Sequence, residues 1–271
     1  LAHGHRAPQY AGPLAGVPSH LHGQIIGDED CLTLNVFAPA WQPDEVPVAG
    51  DRRPVMVWIH GGGNSIGTSV TYDVASSFAR EDGLVVVTVN YRLGVFGWFR
   101  HPSLIAARAA TEADQSGNFG TLDLIAALSW IRDNISAFGG DPDCVTIFGE
   151  SAGAQNVLTL LASPLAAGLF HRAIAQSPLT HGYTPQQAID GADPTFESER
   201  VGSREIAARL AQRLDGPARL TATWLRSLTT HDILSVFNPG SGGYYGSPRP
   251  IRDGHVLPLA PLDEVFRTGE W

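Results

Sequence analysis

Two stretches of the chain are apolar almost without interruption: residues 54–60 read Pro-Val-Met-Val-Trp-Ile-His and residues 84–90 read Leu-Val-Val-Val-Thr-Val-Asn. Runs of this length suit strands covered on both faces, as in a sheet flanked by helices. Residues 32–37 instead alternate apolar and polar positions, the pattern of a half-buried strand. Residues 144–148 and 172–176 read as two more strands. Between them, Leu124, Ala127, Leu128, Ile131 and Ile135 recur at helical spacing and mark one face of a helix that stops at Gly139-Gly140. Residues 152–161 are good helix formers and make a second helix. Strands alternating with helices argue an α/β sheet over about residues 31–178.

The flanks differ in character. The first thirty residues are rich in Gly, Pro and His without a period, and read as a wrapping loop. Beyond Pro178, residues 199–214 and 222–236 read as amphipathic helices with no strong strand between them, and residues 238–250 as a Gly/Ser/Pro/Tyr loop. Residues 179–250 are therefore expected to form a helical, cap-like region beside the sheet, within a single domain spanning 1–271. No internal repeats are present.

Composition narrows the partners. The formal charge is −9 and no basic cluster interrupts it, so nucleic acid and anionic membrane are poor partners. No apolar run approaches the ~18 residues of a membrane span. The start, Leu1-Ala2-His3-Gly4-His5, has neither an initiator Met nor a signal pattern, so the chain is read as processed or as a fragment, and localisation stays open. Cys31 and Cys144 are read as free thiols; a disulfide would need Cα atoms within about 7 Å, which sequence spacing does not show.

Chemistry enters with Gly149-Glu150-Ser151-Ala152-Gly153, which fits the G-x-S-x-G nucleophile elbow. A serine at a sharp strand-to-helix turn has its Oγ lifted clear of the sheet, at the end of a helix that favours developing negative charge. Gly63-Asn64-Ser65-Ile66-Gly67 matches the same pattern, but the residues after Ser65 make a poor helix start. Ser151, between the strand at 144–148 and the helix at 152–161, is the candidate nucleophile. His60-Gly61-Gly62-Gly63 directly follows a strand, and glycines there let backbone N–H groups approach a substrate oxyanion. The N–H after the nucleophile, that of Ala152, completes such a hole. Together the two motifs point to acyl transfer on an ester or amide.

With these motifs the sequence resembles the type-B carboxylesterase family, which includes cholinesterases and para-nitrobenzyl esterases. The likeness rests on Glu29-Asp30-Cys31-Leu32-Thr33-Leu34-Asn35-Val36, on Trp58 through Gly63, on Asn90-Tyr91-Arg92-Leu93-Gly94-Val95-Phe96-Gly97, and on the stretch from Gly117 to Ala154 with Phe138-Gly139-Gly140-Asp141-Pro142. Ala173-Ile174-Ala175-Gln176-Ser177 and Asp253-Gly254-His255-Val256-Leu257-Pro258 extend it. The resemblance implies an α/β-hydrolase fold, a mostly parallel sheet flanked by helices, incomplete here at both ends and carrying part of a helical cap. It implies Ser151 as nucleophile, with the N–H groups of Gly62, Gly63 and Ala152 as the oxyanion hole. It implies a structural salt bridge between Arg92 and Asp123, expected to be largely buried, and a Glu150 that lines the gorge and tunes its charge.

The departures from the family bear on function. Most of the segment that supplies the family's early strands is absent, as is the upstream Cys that often partners the Cys31 position. Ser19-His20-Leu21-His22-Gly23 lacks the Trp with which cholinesterases hold a quaternary ammonium, which disfavours choline esters. The family's triad acid and histidine come after the Asp-Gly-x-x-x-Pro stretch. The histidines downstream of Ser151 are His171, His181, His231 and His255, and none has a matching context, so neither a general base nor an acid is assigned. The expected activity is hydrolysis of small to medium uncharged carboxylic esters through an acyl-serine, without cofactor or metal, and with residues 1–271 inactive by themselves. An amidase or peptidase on the same fold, or a non-catalytic cholinesterase-like binding domain, are the alternatives. Oligomeric state is not legible.

Overall fold

The computed structural model describes residues 3–72, 74–107, 111–191, 201–238 and 249–269. A short antiparallel ribbon, β1 (Gln9–Tyr10) with β2 (Ile25–Ile26), comes first. The main sheet contains β3 (Leu34–Phe37), β4 (Arg53–Ile59), β5 (Val85–Val89), β6 (Gly140–Glu150) and β7 (Arg172–Gln176). Its order is β3-β5-β4-β6-β7, with β3 antiparallel to β5 and every other pairing parallel.

One face of the sheet carries the main core. Val55, Val57, Ile59, Val85, Val87, Val89, Val145 and Ile147 pack there with Leu124, Leu128 and Ile131 of the helix Phe119–Asn134 and with Val157 and Leu160 of the helix Ala152–Ala162. The longer helix passes into a 3-10 turn and ends on Gly139 at φ 72°, a left-handed residue that glycine adopts without steric cost. The expectation of strands covered on both faces holds only for β5, whose five residues are all buried. In β4 and β6, Met56, Trp58, Thr146 and Phe148 are only half-buried. The helix Val74–Asp82 packs on β5, whereas Trp58 meets Tyr72 and Phe148 through tilted ring contacts.

Two further expectations are corrected. The first thirty residues are not a plain wrapping loop: they hold the β1–β2 ribbon and two 3-10 turns. Strands of two residues are too short to leave a period. Residues 222–236 form two helices, Ala222–Ser227 and Thr230–Leu234, because Thr229 and Asp232 make a capping box that starts a new helix. The helix expected over 199–214 runs Ser203–Arg213. Most of the loop expected at 238–250 lies outside the described residues. Among the described residues no helix is long and apolar enough to cross a membrane.

Candidate active site

β4 and β6 are parallel neighbours, with Ile59 opposite Gly149. Their carboxyl ends therefore deliver the His60–Gly63 loop and the 149–153 turn side by side, where α/β sheets present their ligand sites. Ser151 sits between β6 and the helix Ala152–Ala162 at φ 56° and ψ −120°. Such a backbone costs about 1–3 kcal/mol for a non-glycine residue and persists only where surroundings hold it. Here the Ser151 N–H donates to Gln176 O (2.9 Å), and Ser151 O accepts the Gln155 N–H (3.0 Å). Gly153 shows why the elbow needs glycine: a Cβ there would lie 2.0 Å from Ile59 O, so any side chain would push the helix off β4.

The glycine loop lies against this turn. A Cβ on Gly61 would come 2.8 Å from Glu150 O and 3.4 Å from Ser151 Cβ. Gly62 has φ 107°, and its Cβ would fall 2.0 Å from Ile66 O, so the turn excludes every side chain. Gly62 O accepts the N–H groups of Ser65 and Ile66, both at 3.1 Å. Among the described residues the N–H groups of Gly62 and Gly63 make no hydrogen bond. Ala152 opens its helix, so its N–H has no intrahelical acceptor. Three candidate donors are thus left unused by the fold, while Ser151 is half-buried and Glu150 is exposed.

Polar side chains brace the loop. The buried His60 donates from Nδ1 to Gly61 O (2.8 Å) and stacks on Tyr91 with ring centroids 4.5 Å apart. The Tyr91 hydroxyl donates to His60 O (2.6 Å). Burial pushes the His60 pKa down to about 4, so the imidazole is neutral at neutral pH. At the far end, Gln9 Nε2 donates to Gly67 O and the Gly67 N–H donates to Gln9 Oε1, both at 2.8 Å. Sequence reasoning missed Gln9 and Tyr91 as braces, since nothing in their local pattern marks a contact with a loop far along the chain.

Ser65, the competing serine, is fully buried, and its hydroxyl donates to Gly62 O (3.4 Å). All ten histidines fall within the described residues, and none hydrogen-bonds Ser151. His171 Nδ1 accepts the Val145 N–H (3.2 Å), and His255 faces Glu112 at 3.4 Å. His231 lies on the helix Thr230–Leu234, and His181 offers its backbone oxygen to Gln155 Nε2 (2.7 Å). Arg92 and Asp123 pair bidentately, Nε to Oδ2 at 2.8 Å and Nη2 to Oδ1 at 2.6 Å. The pair is less buried than expected: the Asp123 side chain is 4% exposed but that of Arg92 is 35% exposed, its guanidinium lying over the Phe119 ring. Cys31 and Cys144 are both free, and burial pushes the Cys31 thiol up to about 11.

Comparison with known proteins points to one family. The model of the carboxylesterase family matches residues 2–269. Liver carboxylesterase 1 of Mus musculus is 40% identical over 244 residues, which cover 86% of this chain and 39% of that protein. Carboxylesterase 3 of Homo sapiens is 52% identical over 149 residues, 55% of this chain and 24% of that protein. Among solved structures, a thermophilic PNB esterase superimposes with a TM-score of 0.72 at 34% identity, covering 99% of this chain and 50% of its own. A second PNB esterase gives a TM-score of 0.67 at the same 34% identity, covering 95% of this chain and 49% of its own. The chain thus spans about half the length of the solved relatives and two fifths or less of these two carboxylesterases. A mostly parallel sheet flanked by helices, with a strand–serine–helix turn at its carboxyl edge, is the α/β-hydrolase fold, and the chain belongs to the carboxylesterase family.

Proposed function

We propose that the protein carrying this chain is a serine carboxylesterase, with Ser151 as nucleophile and the N–H groups of Gly62, Gly63 and Ala152 as oxyanion donors. The observation that carries this reading is the strained Ser151 beside a glycine loop whose N–H groups the fold leaves unbonded. Ser151 Oγ attacks the ester carbonyl carbon, giving its proton to a general base, and the carbonyl π-electrons move onto oxygen. The three N–H groups stabilise that oxyanion in a fixed frame, so little reorganisation accompanies the charge. Collapse breaks the bond to the alcohol, which leaves with the proton, and water then releases the acid from acyl-Ser151 by the same steps reversed.

Small to medium uncharged esters are the substrates this reading favours. The chain is acidic, with a net charge of −9, and the exposed Glu150 lies along the glycine loop, which disfavours anionic substrates. The test is covalent labelling of the whole protein with an organophosphate followed by peptide mapping. The adduct is expected on Ser151, and Ser151→Ala should lower kcat by roughly 10³-fold or more with the fold intact. An adduct on Ser65, or on neither serine, would overturn the assignment.

A further inference from the structure

We propose that the buried pair Asn64–Asn156 is the positioning device that holds the glycine loop and the elbow helix in register as one oxyanion site, a role that rests on the hydrolytic reading above. Asn64 directly follows Gly63, and Asn156 lies on the helix that Ala152 opens. Both are fully buried, and Asn156 Nδ2 donates to Asn64 Oδ1 at 2.9 Å. The bond therefore ties the residue next to two candidate donors to the helix bearing the third. The Tyr91 hydroxyl donates to His60 O at the loop entrance. On its other side, Asn64 O accepts the Gly94 N–H at 2.7 Å. The segment 60–64 is thus held by the elbow helix at Asn64 and by Tyr91 at His60.

The residue types are informative. Asn156 Oδ1 is buried and has no hydrogen-bond partner among the described residues, an arrangement that lowers stability and that an apolar side chain would avoid. Asn64 has φ 56°, a conformation that Asn tolerates better than most side chains. A run of three glycines has little stiffness of its own, yet catalytic donors must be held to within about 0.5 Å. A hydrogen bond from the elbow helix supplies that stiffness where the glycines lack it.

The experiment is a double-variant cycle in the whole protein, assayed with a short-chain nitrophenyl ester and with thermal unfolding followed in parallel. Asn64→Gly keeps the positive φ accessible while removing the amide, and Asn156→Ala removes the other partner. Each should lower kcat by roughly ten- to a hundredfold, since a misplacement of about 1 Å costs on that order, while KM stays within about threefold. The double variant should be no slower than the worse single variant by more than about twofold, because both remove one bond. The rate of organophosphate labelling of Ser151 should fall with kcat. A kcat within about twofold of the unsubstituted protein for Asn64→Gly, multiplicative losses in the double variant, or a KM that rises in step would each overturn the proposal. If Asn156→Ala fails to fold, Asn64→Gly alone decides. An unsubstituted protein that neither hydrolyses the ester nor labels at Ser151 removes the hydrolytic reading and this role together, whereas an active protein with unimpaired variants removes only this role.

Discussion

Residues that hold the candidate site do so by being buried in one charge state. His60 is the clearest case, because folding carries its imidazole from water into a site where its pKa is about 4. Between that value and the ordinary 6.5, the unfolded chain binds a proton that the folded chain does not. The stabilisation is therefore complete above about pH 6.5 and is lost as pH falls toward 4, amounting to about 3 kcal/mol at most. Urea unfolding at several pH values across that window should show the decline, and His60→Gln should flatten it. A slope unchanged by that substitution would mean that His60 gains its proton inside the fold.

At the scale of elements, the site exists because pieces with different local rules meet at one edge of the sheet. Parallel pairing of β4 and β6 sets the glycine loop beside the elbow, and Gly153 lets the elbow helix come close. The segment leaving β5 is fastened to the helix Phe119–Asn134 by Arg92 and Asp123, with Asp123 Oδ2 also accepting the Arg92 backbone N–H at 3.0 Å. Burial of the pair is lopsided, and that sets the expected mutational asymmetry. Arg92→Ala leaves a carboxylate that is 4% exposed without its cation, and should cost about 3–5 kcal/mol. Asp123→Ala leaves a guanidinium that water reaches, and should cost about 1–3 kcal/mol. Equal losses in denaturant unfolding would show that exposure does not govern this pair.

For the whole molecule, the decisive feature is that the candidate nucleophile, Ser151, has no histidine partner, although every histidine of the chain is among the described residues. A serine hydroxyl is a poor nucleophile until a base takes its proton. Residues 1–271 expressed alone should therefore hydrolyse a short nitrophenyl ester at least roughly 10³-fold more slowly than the whole protein proposed above. Turnover within tenfold would give the base's role to His171, His181, His231 or His255. β7 has a single neighbour among the described strands, and Ile174 on it is 46% exposed. An unpaired strand edge bearing an exposed Ile promotes association, so size-exclusion chromatography of the isolated chain should reveal oligomers.

What the sequence determined by itself is the part of this protein written in short-range pattern. The strands at β4, β5 and β7, the face marked by Leu124, Leu128 and Ile131, and the G-x-S-x-G turn are each set by neighbours within one element, so they are legible without coordinates. The β1–β2 ribbon, the break at Thr229 and the exposure of Arg92 were not legible, because two-residue pairings, a competing cap and the covering of a side chain leave no period. Only the tertiary structure decided how the loop and the elbow meet. Gln9 reaches Gly67, Tyr91 reaches His60 and Asn156 reaches Asn64, contacts separated by 58, 31 and 92 residues along the chain. The hydrogen bond depends on distance in space and on the direction of two polar atoms, and neither is encoded in the spacing of residue types, so the bracing of the candidate oxyanion site became visible only once the chain was folded.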